Sequence, residues 1–299
     1  MKKSFYILIT VMLALAAGKA EAKGPGTAGA AFMKIDAGSE QAAKGGAVTA
    51  DYTGALASFY NPASLGLRQS TEITASYNSW LLDMDQKVLG IKYSRGKKHF
   101  GFSLVQFSAG EIERRGRFGQ REGSFYPSDL LVNAAFCLKA GNNLSAGVNI
   151  KYISQSIDDV TGRGAAADIG IIYSNRGLTA GLKLENLGTG IKFLAKTEKL
   201  NTGINIGLQY SRNLSPQALI KMMADSGYGL EGYRGVKAAA SLELYDFIFL
   251  NCGYNKVDLN YGFTLGAGVK LNGIRIDYSF VPFNYLGDSH RISLTYIAR

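Results

Sequence analysis

From Thr71 onward, apolar and polar positions alternate with a period of two, the side-chain alternation of a β-strand. In the first such segment Ile73, Ala75 and Tyr77 share one face, and Glu72, Thr74, Ser76 and Asn78 the other. Further on, Leu144, Ala146, Val148, Ile150 and Tyr152 oppose Ser145, Gly147, Asn149 and Lys151, and Ile204, Ile206, Leu208 and Tyr210 oppose Asn205, Gly207 and Gln209. One face suits lipid and the other a wet or plugged lumen. Tyr77, Tyr93, Tyr152, Tyr173, Tyr210, Tyr278 and Tyr296 fall near the downstream ends of such segments on the apolar face, as an interfacial aromatic girdle requires.

Segments of roughly ten residues, tilted, cover an apolar band about 25 Å tall. Tight connections at Arg95 to Lys98, Gly141 to Asn143, Asn175-Arg176 and Asn272-Gly273 belong on the periplasmic side and alternate with longer ones. Putting both Gly141 to Asn143 and Tyr245-Asp246 on that side requires one more strand between Arg212 and Gly235. Gln217 to Ala224 is the candidate, with a short surface helix as its alternative. The expected fold class is therefore all-β, a transmembrane antiparallel barrel of about fourteen strands.

Upstream the pattern changes. Residues 1–22 have the form of a signal peptide: Lys2 and Lys3, an apolar run from Phe5 to Ala17, and a small-x-small site at Ala20 to Ala22. That run is too short for a membrane-spanning helix, so spanning falls to strands. Residues 23–69 are expected to form an N-terminal lumen plug with short helices, because the Ala- and Gly-rich stretch from Ala37 to Ala57 needs somewhere to bury itself. Ser39 is a candidate N-cap, and Gly45 and Gly46 a break or hinge. Asn61 and Pro62 are expected at the turn where the plug enters the first strand, a second hinge candidate. Residues 70–299 then make the barrel.

The formal charge of +10 falls to +8 once Lys2, Lys3, Lys19 and Glu21 are removed. A basic surface suits outer-membrane lipid or lipopolysaccharide phosphate, and export argues against nucleic acid. The densest basic cluster, Arg114, Arg115, Arg117 and Arg121, lies in the longest expected external loop, Ala109 to Pro127, and is either a lipopolysaccharide grip or a plain solvated loop. Cys137 and Cys252 fall in separate strands; a disulfide or two lone small side chains are both open. The 37 glycines and 5 prolines fit long strands joined by Gly and Asn turns.

No catalytic centre, cofactor site or metal site emerges. Asp288, Ser289 and His290 are successive strand residues, so their side chains point to alternate faces and cannot converge. His99 stands far from the other histidine, without a cluster of metal-ligating residues. Gly227 to Gly232 spells G-x-G-x-x-G but precedes a strand-like run rather than a helix, so an external loop is expected.

The stretches Gly26 to Gly38, Gly45 to Ala50, Ala57 to Leu67 and Leu286 to Tyr296 resemble the PorV/PorQ family of outer-membrane proteins, whose fold is like that of the fatty-acid transporter FadL. Glu40 and Lys44 depart from its pattern, as do Thr53, Gly54 and the terminal Arg299. The resemblance implies one of two roles: passage or binding of a small hydrophobic molecule, or docking of a secreted protein or secretion-system component at the outer surface.

Overall fold

In the computed structural model the period-two segments pair edge to edge until the sheet closes on itself. The structure describes residues 29–194, 196–230, 234–257, 260–283 and 287–298. The expected signal peptide lies outside them. The strands are β1 (Thr71–Ser79), β2 (Asp85–Arg95), β3 (Lys98–Ser108), β4 (Ile112–Arg115), β5 (Arg121–Phe125), β6 (Ser128–Ala140), β7 (Leu144–Ile157), β8 (Val160–Asn175) and β9 (Leu178–Phe193). There follow β10 (Lys196–Glu198), β11 (Gly203–Ser215), β12 (Ala218–Gly229), β13 (Arg234–Leu244), β14 (Ile248–Val257), β15 (Asn260–Leu271), β16 (Ile274–Pro282) and β17 (Asp288–Ala298). Apart from the β4–β5 hairpin and the short β10 on β9, fourteen antiparallel strands form the barrel, and β17 closes on β1 from Thr71↔Ala298 to Ser79↔His290.

Burial follows the alternation inside out. Glu72, Thr74, Ser76 and Asn78 are buried in the lumen while Ile73 and Tyr77 face outward; on β7, Ser145, Asn149 and Lys151 are inside and Val148, Ile150 and Tyr152 outside. Tyr77, Tyr93, Tyr152, Tyr173, Tyr278 and Tyr296 are 44–53% exposed on the outer wall, with Tyr77, Tyr152 and Tyr278 toward one rim and Tyr93, Tyr173 and Tyr296 toward the other. Ala218 to Ala224 is strand, paired to both β11 and β13, with Gln217 in the turn before it. Tight turns join β2–β3, β6–β7, β8–β9, β11–β12, β13–β14 and β15–β16 at the end where β1 begins and β17 stops, which fixes this end as periplasmic.

The described part of the N-terminal segment, residues 29–69, packs inside the lumen. It carries one α-helix, α1 (Ser39–Ala43), and 3-10 turns at Ala31–Lys34, Gly54–Leu56 and Pro62–Leu67. Three glycines within strands serve as clearance on the inner wall. A Cβ at Gly147 would lie 2.6 Å from the Pro62 carbonyl carbon, one at Gly181 2.4 Å from the Thr49 oxygen, and one at Gly253 2.3 Å from the Lys44 carbonyl carbon. Bare backbone on β7, β9 and β14 thus lets the plug chain lie directly on the sheet.

At the closing seam, Ser293 of β17 bonds Ser76 of β1 and Ser39 of the plug at 2.9 Å each, and also accepts from the Ser39 backbone N–H at 2.9 Å. This places Ser39 inside α1, with Gly38 as the N-cap in place of the expected serine. The Ser39 hydroxyl is drawn to the wall rather than to its own helix.

Candidate functional site

The plug is held from below by a buried ion network. Lys44, 1% exposed, lies 2.7 Å from both Asp51 and Glu40; Glu40 also meets Arg275 at 3.2 Å, and Arg275 meets Asp277 at 2.7 Å. Burial pushes the Lys44 ammonium down and the Asp51 carboxyl up, but each prevails over its own desolvation through the other: Lys44 is held above its usual value and Asp51 below. The two residues that looked like departures from the family pattern, Glu40 and Lys44, are the plug's main electrostatic anchors.

The expected hinge residues stand apart. Gly45 and Gly46 both have positive φ, 57° and 72°, and turn the chain against β14; the Gly46 carbonyl accepts from Lys237 at 3.3 Å. Asn61 and Pro62 are not at the entry to β1. Asn61 caps the 3-10 turn that follows it, accepting from the Ala63 N–H at 3.1 Å and donating to the Thr49 carbonyl at 2.8 Å, deep against β7 and β8. The remaining nine residues to β1 run back along the wall, where Lys92 donates to the Arg68 carbonyl at 2.8 Å.

Above the plug, in the outer half of the lumen, is a cavity of about 720 Å³. Its lining divides into two kinds. Phe32 from the plug, Trp80, Phe107 and Leu131 give an apolar wall; Lys151, Lys183, Glu185, Asp225 and Lys237 bring charge from β7, β9, β12 and β13. Lys151 pairs with Asp168 at 2.9 Å and donates to Asn186 at 2.8 Å, while Lys183 pairs with Glu185 at 2.9 Å. Asp225 accepts from the Thr49 N–H at 2.8 Å, and one of its oxygens has no partner among the described residues. At the periplasmic end the corresponding space is only about 70 Å³. Charged residues on the inward parity of spanning strands were a sequence signal for this site, since ionisable groups at membrane depth are costly unless used.

The external arginines are largely neutralised. The expected loop folds as the β4–β5 hairpin, in which Arg115 and Arg121 pair with Glu113 at 2.8 and 3.5 Å, and Arg114 pairs with Asp158 of the next loop. Arg117 sits at the hairpin tip. Gly227 to Gly229 end β12 instead of forming a loop, while Glu231 and Gly232 lie outside the described residues. Cys137 is buried against the plug and Cys252 exposed on the outer wall, both as free thiols. Ser289 points inward to Asn78 at 2.8 Å, whereas the His290 ring meets Tyr278 on the outer face. No cluster of metal-ligating side chains occurs among the described residues.

The family described as type IX secretion system membrane protein PorP/SprF matches residues 45–296. The chain belongs to the PorP/SprF family. The match runs from Gly45 through nearly the whole barrel and lies in the same type IX secretion context as the PorV/PorQ resemblance, without bearing out that naming specifically. No curated protein matches the sequence. Among solved structures, the Pseudomonas putida toluene transporter TodX is similar with a TM-score of 0.60 at 11% identity, over 87% of this chain and 96% of that one. A ΔS2S3 mutant of the TodX monoaromatic hydrocarbon channel gives a TM-score of 0.62 at 13% identity over 87% and 98%, and a Pseudomonas aeruginosa FadL homologue 0.50 at 10% over 87% and 98%. At such identities the likeness is one of fold: this PorP/SprF member is an outer-membrane barrel built like those channels.

Proposed function

We propose that this PorP/SprF barrel is a docking component of a type IX secretion system, receiving a segment of a partner protein in its outer cavity. The observation that carries the reading is the asymmetry of the lumen: about 720 Å³ of space on the outer side, with an ion-locked plug and about 70 Å³ below. A wall of Phe32, Trp80, Phe107 and Leu131 facing Lys151, Lys183, Asp225 and Lys237 suits an amphipathic polypeptide segment, which buries apolar side chains on one side and pairs charges on the other. The family description agrees with a secretion role.

A second reading rests on the apolar wall alone. The cavity is within the roughly 300–1,000 Å³ of ordinary small-molecule sites, and the similar solved structures include a toluene transporter. A photo-crosslinking side chain at Phe107, with one at the lipid-facing Ile204 as control, separates the two in outer membranes of cells secreting their native cargo. A polypeptide crosslinked at 107 but not 204 supports docking. Crosslinking at 107 to a lipophilic small molecule alone sinks it in favour of hydrophobic binding.

A further inference from the structure

The charge that the sequence places in the external loop is mostly cancelled there; the uncancelled charge is at the other end of the barrel. Four neighbouring periplasmic turns, β2–β3, β6–β7, β8–β9 and β11–β12, carry Arg95, Lys97, Lys98, Lys139, Arg176 and Arg212, and residues 93–100, 138–145, 173–179 and 210–218 contain no Asp or Glu. Elsewhere on this rim three cations have carboxylate partners: Lys270 pairs with Asp246 at 2.6 Å, Lys221 with Glu243 at 3.8 Å and Arg275 with Asp277.

Side-chain direction selects the partner. Arg95 follows Tyr93 by two residues, Lys98 precedes Phe100 by two, and Arg212 follows Tyr210 by two, so each shares the outward parity of its girdle ring. Arg95 is the direct cross-strand neighbour of Lys98, as Tyr93 is of Phe100, and the Phe100 ring lies 5.4 Å from Phe136. All three cations are exposed on the lipid-facing wall just below the aromatic band. At that height a long basic side chain lays its stem along the apolar wall and its head at the phosphate layer. A soluble periplasmic partner would meet the turn tips rather than the flank of the wall.

We propose that the β2-to-β12 side of the barrel binds the headgroups of anionic phospholipids in the inner leaflet of the outer membrane, with Arg95, Lys98 and Arg212 as the principal contacts. Two lipid-facing cations side by side, with no carboxylate to compete, hold phosphate by charge-assisted hydrogen bonds. The inference does not depend on what enters the outer cavity.

The test is electron paramagnetic resonance of spin-labelled lipids with the full-length protein reconstituted in phosphatidylcholine bilayers. Spin-labelled phosphatidylglycerol is expected to associate more strongly than labelled phosphatidylcholine, by about fivefold at each contacted position. The preference falls to within about twofold in Arg95→Gln/Lys98→Gln/Arg212→Gln, and in the wild-type protein at 1 M salt, where the screening length is about 3 Å. Arg115→Gln/Arg121→Gln in the external hairpin keeps it. Heat-modifiable electrophoretic mobility verifies that each variant is folded, and the salt arm needs no variant. A wild-type protein with no phosphatidylglycerol preference, or a triple variant that retains it, overturns the proposal. So does loss of preference in the hairpin variant alone. Salt-sensitive binding of an acidic periplasmic protein by a wild type that shows no lipid preference overturns it in favour of a protein partner.

Discussion

Lys44→Met tests whether the plug is held by charge. The substitution keeps most of the side-chain volume but leaves Asp51, 1% exposed, without its cation; one Asp51 oxygen already has no partner among the described residues. Removing one partner of a buried pair costs about 3–5 kcal/mol, because the remaining charge stays desolvated. The effect on plug docking is set at the low end, about 3 kcal/mol, since Glu40 keeps Arg275. The single tryptophan is the reporter: Trp80 packs edge-on to Phe283 at 4.7 Å and under the Arg291 guanidinium, which itself donates to the Asp36 carbonyl of the plug at 2.9 Å. Urea titration of Trp80 emission, with barrel integrity followed by heat-modifiable mobility, gives the docking free energy. The double variant Lys44→Met/Asp51→Leu is expected to recover most of the loss, because replacing both charges by apolar groups removes the stranded carboxylate.

The pH dependence supplies an independent sign. Asp51 is held below its usual 3.8, so its contribution is present above that value and is lost as pH falls through the lower folded value. Lys44 is held above its usual 10.5, so its contribution is present below that value and is lost as pH rises through the higher folded one. The contribution of this pair to wild-type docking is therefore flat between about pH 4 and 10. In Lys44→Met burial pushes Asp51 up, and docking strengthens as pH falls, the opposite slope to the wild type in acid. A loss below about 1 kcal/mol, a double variant as weak as the single, or no change of slope refutes the ion-lock reasoning.

Three further outcomes follow from the packing. Gly181→Ala puts a Cβ 2.4 Å from the Thr49 carbonyl oxygen and is expected to cost the plug about 1–3 kcal/mol by overpacking, read by the same Trp80 titration. Asn61→Ala removes both the cap to Ala63 and the bond to Thr49 and is expected to cost about 1–2 kcal/mol of plug docking with the barrel intact; an unfolded barrel contradicts the placement. Ile150→Lys, on the lipid face at mid-strand, is expected to destabilise the barrel by up to about 2–4 kcal/mol, measured by folding into lipid vesicles across a urea series.

The barrel wall was legible because its information is local. Alternation in β1 and β7 can be read within nine to fourteen residues, and turn parity alone demanded a strand where Gln217 to Ala224 looks helical. That the small apolar residues of the N-terminal segment need burial could be read from the sequence, but not where each of them packs. Ser39 bonds a residue 254 positions away, and Asn61 is positioned by strands that follow it by more than eighty residues. Nothing within a local window of sequence distinguishes a turn entering β1 from one lying on β7. The ion lock was hidden for the same reason, as Arg275 is what makes Glu40 tolerable. Gly147, Gly181 and Gly253 read as generic strand glycines until the backbone opposite each is known.

The three-serine joint at the seam, where Ser39, Ser76 and Ser293 meet, has a consequence for assembly. The plug leaves the export pathway before any strand, yet its helix has no complete binding site until the last strand lies beside the first. Its docking must therefore come late in folding, waiting on contacts of the longest sequence separation in the chain. Plug docking then reports on completion: a barrel stalled before β17 joins β1 offers half a joint, leaves the Ala-rich segment exposed in the periplasm, and presents it to proteases and chaperones as unfinished.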